Sequence, residues 1–541
     1  MPPRSDSSPK RTPPVAGRTV PRIVIDAAPL LALGVFLISS DARFSFIDDE
    51  ATLLNGAAQP LRAILAAFRS GAGGHRHPPL YDLLLHVWLA LTSGAPALLR
   101  VPSLLFFLAG IWVLSRAAMR IGGEQSATSM IWLAALWPYG FHYARLETGY
   151  PFSFLLIVAL IWAYIRYCDL RNPSASSGQA WALVCLLAVA LVWTSNFGWV
   201  LLAPLAVEEW ICNRGSQRKT APRLAIAAAL LAVASIPLWA SLLDAAKDAF
   251  GSHPAWRAVF LTAGYKVYVL LVSESVAPWY WKFGVPGMLA VAASLVLIFV
   301  AVHGQARRFF LYGAFLVSLL AITGTLSAES LLLVAPWFLL PAAVAIGTTH
   351  TTLWRRSMAV SLAVVAAVGW YGVVARVYYA TPRFVEPWGN LAVEAGSVAR
   401  QGGVVVGNDP SFFLYLTYGL LVPQATPWRF VGSLPSLVQD QQVWGPDEWQ
   451  AAGHPLGPSV LWVSGTPRSG SMDEAGNWLD HNCGDRTTRY MARDSSYVWK
   501  QRFLGPSATA TAWLIEVRQY SCGPNGTAPP VSAPPPAELA H

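Results

Sequence analysis

Charge is scarce in this sequence. Only 12% of its 541 residues are Asp, Glu, Lys or Arg, roughly half the ~25% of an ordinary soluble domain. A soluble globule of this length needs charge to cover its surface, so the shortage argues against one. Disorder is excluded by the 54% hydrophobic content, because a disordered chain combines low hydrophobicity with high net charge. Cysteine is scarce too. Its five residues form no CxxC pair and no Cys/His spacing of a zinc site. Cys168, Cys185 and Cys212 lie in or beside apolar runs and read as small apolar residues. Cys483 and Cys522 lie in the polar C-terminal region, where a disulfide and two free thiols fit the sequence equally. The net charge is +9, but the positives fall between apolar runs rather than along one stripe. That is a topology signal and not a nucleic-acid face.

Long apolar runs are what the sequence has in abundance, with a mean hydropathy of +0.43. Residues 1–22 are rich in Pro, Ser and Arg and read as a disordered basic tail. Runs near 23–40, 101–118, 126–142, 151–166, 180–195, 197–211, 223–243, 284–303, 309–325, 331–347 and 357–378 give about eleven candidate spans. With the N-terminus inside and the spans alternating, Arg116 with Arg120, Arg166 with Arg171, the 214–223 cluster, Arg307–Arg308 and Arg355–Arg356 all fall on one side. The positive-inside rule asks for this. Pro78–Ser93 is apolar enough for one more span, but crossing would flip every later cluster. It also carries Asp82 and His86, which are costly in lipid. It therefore reads as an interfacial helix on the outer face, with Leu80, Leu83, Leu84, Val87 and Leu91 as its greasy side. The outer surface then holds residues 41–100, a short loop at Arg145–Glu147, a longer loop at about 244–283, and everything after about 379. Val404–Val406, Leu461–Val463 and Trp513–Val517 are strand-like, with helical candidates at Phe412–Gly419 and Asp473–Asn482. Residues 379–525 thus read as an extracytoplasmic α/β domain and 526–541 as a Pro-rich tail.

The residues that can carry chemistry gather in the outer loops. Asp48, Asp49 and Glu50 follow the first span directly. Adjacent carboxylates raise one another's pKa and attract cations, so they suit a general base or a divalent cation. The same loop reads His75-Arg76-His77-Pro78-Pro79-Leu80-Tyr81, and the next span opens Leu99-Arg100-Val101-Pro102-Ser103. After the third span comes Tyr143-Ala144-Arg145-Leu146-Glu147-Thr148-Gly149-Tyr150.

This ordered set of an acidic pair, H-P-P-L-Y and L-R-x-P-S resembles the polytopic GT-C glycosyltransferases. The nearest group is the protein-mannosyltransferase-like and aminoarabinose-transferase-like set, which includes the RgtA/B/C/D-type enzymes. The resemblance covers residues 23–378, the membrane module. It implies a GT-C-like polytopic α-helical membrane protein with an outer catalytic site. The activity it implies is transfer of a sugar from a polyprenyl-phosphate donor to a hydroxyl acceptor on a lipid, an envelope glycan or a protein. The family's acidic pair falls on Asp49 and Glu50 as catalytic candidates, with Asp48 beside them. Asp48, His77, Tyr81, Arg100, Arg145, Glu147 and Tyr150 are the substrate-binding candidates. The Arg145–Tyr150 spacing departs from the family's, so the resemblance implies no acceptor class. No organic cofactor is called for, and a divalent cation at the acidic run is left open. The expected setting is the cell membrane, with the C-terminal domain outside. A secondary transporter explains many spans but asks for ionisable groups near mid-span. A non-catalytic envelope-assembly protein on this scaffold is the other alternative.

Overall fold

The structure, a computed structural model, describes residues 19–41, 48–70, 78–92, 98–169, 175–212, 217–239, 242–243, 247, 256–323, 327, 329–375, 388–408, 412, 443–465, 470–492 and 514–522. Its helices begin with α1 (Thr19–Asp41), α2 (Asp48–Ala57), α3 (Leu61–Ser70) and α4 (Leu80–Thr92). The bundle continues with α5 (Val101–Gly122), α6 (Glu124–Ala135), α7 (Pro138–Ala144), α8 (Gly149–Asp169), α9 (Ala175–Val192), α10 (Gly198–Cys212) and α11 (Gln217–Ala234). After it come α12 (Trp256–Val272), α13 (Gly284–Ala301), α14 (Gly304–Ile322), α15 (Leu331–Val334), α16 (Pro336–Thr348) and α17 (Thr352–Val374). The C-terminal region holds α18 (Trp388–Arg400), β1 (Val404–Gly407), β2 (Val443–Trp444), α19 (Pro446–Ala451), β3 (Ser459–Ser464), α20 (Gly470–Asn482), β4 (Gly484–Ala492) and β5 (Leu514–Ser521).

Among the described residues, six stretches are long and apolar enough to cross a membrane: α5, α8, α13, α14, α15 with α16, and α17. Each matches a predicted span. The other predicted spans fall on shorter helices, among them the apolar parts of α1, α9 and α11. The predicted 126–142 span is broken in two. Trp137 is extended, with φ −82° and ψ 106°, and Pro138 opens α7, because a residue before proline is pushed out of the helical region. Short α7 delivers Arg145 and Glu147 to the end of the bundle.

One expectation needs correcting. Within the predicted outer loop 244–283 lies α12, whose Tyr268, Val269, Leu270 and Val272 are buried in the main apolar core. Arg257 and Lys266 interrupt its apolar run, which hid it from a hydropathy reading. On α4 the expected greasy face is the outward one, with Val87 and Leu91 exposed. Asp82 is buried with Tyr81, Leu85 and Leu89 on the other side.

The C-terminal region is an α/β domain. Its sheet has the order β2-β1-β3-β5-β4, parallel from β2 to β3 and antiparallel from β3 to β4. Cys483 and Cys522 are joined in a disulfide across the end of the β4–β5 ladder. One face of the sheet, through Val405, Leu461, Val463, Ile515 and Val517, shares a continuous apolar core with α18. That core extends to Leu54 and Ala57 of α2 and to Tyr81, Leu85 and Leu89 of α4. The domain is therefore packed on the same helices that carry the candidate site. The predicted basic tail is helical at residues 19–22, where α1 begins; residues 1–18 and 523–541, with His77, Ser93 and the predicted helix after Phe412, lie outside the described residues.

Candidate active site

Four separated pieces of sequence meet in one buried network. Glu50, on the first turn of α2, is fully buried. Arg100, the residue before α5, is 2% exposed. Arg100 donates from Nε to Glu50 Oε1 and from Nη2 to Oε2, both at 2.8 Å. This planar two-point contact is the strong form of the Arg–carboxylate pair. Arg100 caps α5 with no side-chain hydrogen bond to the helix; its guanidinium is directed at Glu50 instead. The backbone N–H of Glu147 donates to Glu50 Oε1 at 2.7 Å. Glu147, also fully buried, accepts the Tyr81 hydroxyl on Oε1 at 2.6 Å and the Ser103 hydroxyl on Oε2 at 3.2 Å. Tyr81 and Ser103 lie 3.2 Å apart, oxygen to oxygen.

The network pins α2, α4, the start of α5 and the α7–α8 junction to one another. It also takes the Glu50 carboxylate out of solvent. Burial pushes the Glu147 carboxyl up to about 8; the hydroxyl of Tyr81 pulls against this, and the neighbouring Glu50 carboxylate adds to it. Near neutral pH Glu147 is thus largely protonated beside the Glu50–Arg100 ion pair.

Arg145 is fully buried rather than snorkelling at an interface. Its guanidinium stacks on Phe141 and bonds the carbonyl and Nδ1 of His142. Tyr150 is half-buried on the first turn of α8. Asp48 and Asp49 share the first turn of α2 with Glu50; their side chains, like His77, lie outside the described residues.

The structure adds residues that the motifs did not single out. Ser103 joins the network from within the L-R-x-P-S run. Tyr143 donates to Glu274 Oε2 at 3.0 Å, and Tyr139 donates to the Glu329 carbonyl at 3.4 Å. Glu274 and Glu329 are both buried. Glu274 follows Ser273, which has a φ of +80°, a left-handed conformation that is uncommon outside glycine. A signal for both acids was present: the alternation that collects the arginines on one side puts Glu50, Glu147, Glu274 and Glu329 on the other. Among the described residues, no group of three or more His, Cys, Asp or Glu side chains is arranged to hold a metal ion.

The backbone matches the crystal structure of ArnT from Cupriavidus metallidurans in the apo state, with a TM-score of 0.53 at 14% identity over 91% of this chain and 97% of that one. It also matches ArnT from the same organism bound to undecaprenyl phosphate, with a TM-score of 0.54 at 14% identity over 92% and 98%. The chain has the GT-C fold. A more distant likeness is to the archaeal oligosaccharyltransferase AglB from Archaeoglobus fulgidus, in complex with an inhibitory peptide and a dolichol-phosphate. There the TM-score is 0.44 at 10% identity, covering 86% of this chain and 73% of that one. Neither a protein-family model nor the sequence of a curated protein matches the chain. Within the GT-C fold the Glu50–Arg100–Glu147–Tyr81 network joins residues of the acidic run, the H-P-P-L-Y and L-R-x-P-S runs and the Arg145–Tyr150 segment at one end of the bundle.

Proposed function

We propose that this chain is a membrane glycosyltransferase. It moves a hexose or pentose from a polyprenyl-phosphate donor to a hydroxyl acceptor on a lipid, an envelope glycan or a protein, at the outer face of the membrane. The observation that carries the reading is the convergence of Glu50, Tyr81, Arg100 and Glu147 on one buried network in a GT-C fold. The ArnT neighbour bound to undecaprenyl phosphate supports a lipid-phosphate donor.

Asp49 is the general base in this mechanism. It removes the proton of the acceptor hydroxyl while that oxygen forms a bond to the anomeric carbon. The bond from that carbon to the phosphate oxygen breaks, and the electron pair leaves with the lipid phosphate. A single displacement of this kind inverts the anomeric configuration. Arg145 steadies the departing phosphate. Glu50 has both oxygens committed to Arg100 and the Glu147 N–H, so its part is to hold the first turn of α2, and Asp49 with it, in place.

The test is donor choice. The purified protein is incubated with labelled polyprenyl-phosphate sugars and, separately, with labelled nucleotide sugars, and the products are fractionated. Transfer from the lipid-linked donor with inversion is expected. Efficient transfer from the nucleotide sugar alone would sink the reading.

A further inference from the structure

A groove of about 360 Å³ runs along α6, between it and α17, with α16 as its floor. One water occupies ~30 Å³ of liquid, so the groove has room for about a dozen groups of that size, as in one acyl chain. Along α6 its wall is formed by residues 125, 128, 129, 132, 133 and 136. This is a single helical stripe about 16 Å long at 1.5 Å per residue. Trp132 and Leu136 on this stripe are about half exposed, so the groove opens sideways.

Its two ends differ. At the end near the Glu50 network, Trp137 donates from its indole to the Leu270 carbonyl at 2.6 Å. Beside it α17 is pressed on the start of α7: a Cβ at Gly369 would lie 2.3 Å from the Val272 carbonyl and 2.6 Å from Pro138 Cγ. That end is closed. The remote end is lined by Gln125, Thr128 and Ser129, and no acidic residue is among the described residues that line the groove. Arg355 and Arg356 precede the groove residue Ala359 by four and three positions on α17, which puts them one turn beyond it.

We propose that this groove holds one acyl chain of an anionic phospholipid, inserted from the end of the bundle remote from the Glu50 network, with its phosphate at Arg355 and Arg356. The closed end separates it from any donor phosphate held at the Glu50 network. The proposal stands independently of the transfer reaction.

Native mass spectrometry of the purified protein with phosphatidylglycerol or phosphatidylcholine of matched chains tests it. The wild type should retain phosphatidylglycerol preferentially. Each arginine near an anionic headgroup contributes ~1 kcal/mol, so the preference should fall about fivefold for each of Arg355→Gln and Arg356→Gln. Ala363→Trp fills the groove from α17 and should abolish retention of both lipids without changing the melting temperature in detergent alone. Ala359→Phe is the second filling variant, should the first misfold. Unchanged retention in a folded filling variant would overturn the proposal. So would one-for-one displacement of phosphatidylglycerol from the wild type by undecaprenyl phosphate, which would assign the groove to an isoprenoid chain.

Discussion

Glu208 and Glu50 are both fully buried glutamates gripped at two points by an arginine, at opposite ends of the bundle, yet their surroundings differ. Arg308 holds Glu208 at 2.7 and 2.6 Å, with the Tyr312 hydroxyl as a further donor at 2.9 Å. Neighbouring Glu209 is bonded by the hydroxyls of Tyr164 and Tyr167. Arg308 keeps 34% of its side chain exposed, whereas Arg100 keeps 3%. At the Glu50 end the third partner belongs to a second carboxyl residue, Glu147, whose titration is displaced to about 8. One end uses its charges to tie α10 to α14. The other encloses a charged pair and sets a protonated carboxyl beside it. Stored electrostatic imbalance of this sort marks functional sites more often than structural ones.

The largest expected effect separates the two ends by activity. Asp49→Asn should lower transfer by about 10²–10⁴-fold, the usual cost of removing a positioned base, with an unchanged melting temperature. Glu208→Gln should leave turnover within a few-fold while lowering the melting temperature. Equal losses of activity in both would erase the distinction. Next comes stability. Arg100→Met strands a buried carboxylate and should cost roughly 3–5 kcal/mol in denaturant or thermal unfolding. Arg308→Met, at the half-open end, should cost about 1.5–3 kcal/mol, the range for hydrogen bonds to charged groups.

The C-terminal domain supplies a control outside both ends. Reducing Cys483–Cys522 should destabilise that domain by about 2–4 kcal/mol, read as an earlier unfolding transition, while the Glu208 end is untouched. A dependence on pH completes the series. Glu147 has its folded-state value raised from 4.5 to about 8. The stabilisation is therefore complete below pH 4.5 and is lost as pH rises through about 8. Glu147→Gln should flatten the melting-temperature profile across that window. A profile as steep as the wild type's would place the titration elsewhere.

Much of the site was legible because its pieces are short, polar and flanked by apolar runs. Glu50, Tyr81, Arg100 and Glu147 come from four such pieces, and the fold joins all four. Ser103 stands in the L-R-x-P-S run, and only the fold brings it to Glu147. The alternation of the spans puts Glu274 and Glu329 on the same side as Glu50, but each is a lone acid outside any motif, and only the fold brings Tyr143 and Tyr139 against them. In the C-terminal domain, β1, β3 and β5 were visible as apolar runs. β4 was not, because GDRTTRYMA is polar and lies at the sheet edge. The order β2-β1-β3-β5-β4 depends on pairings between distant residues, which local pattern does not encode. The Cys483–Cys522 bridge was undecidable for the same reason.

The central claim is that the Glu50 end is where a sugar leaves a lipid phosphate. It is tested most directly by single-turnover transfer from a labelled polyprenyl-phosphate sugar, run side by side on wild type, Asp49→Asn and Glu208→Gln matched for melting behaviour and donor binding. The account predicts that Asp49→Asn binds donor but transfers at least about 10²-fold more slowly, while Glu208→Gln transfers almost as the wild type does. Wild-type transfer by a folded Asp49→Asn protein would contradict it.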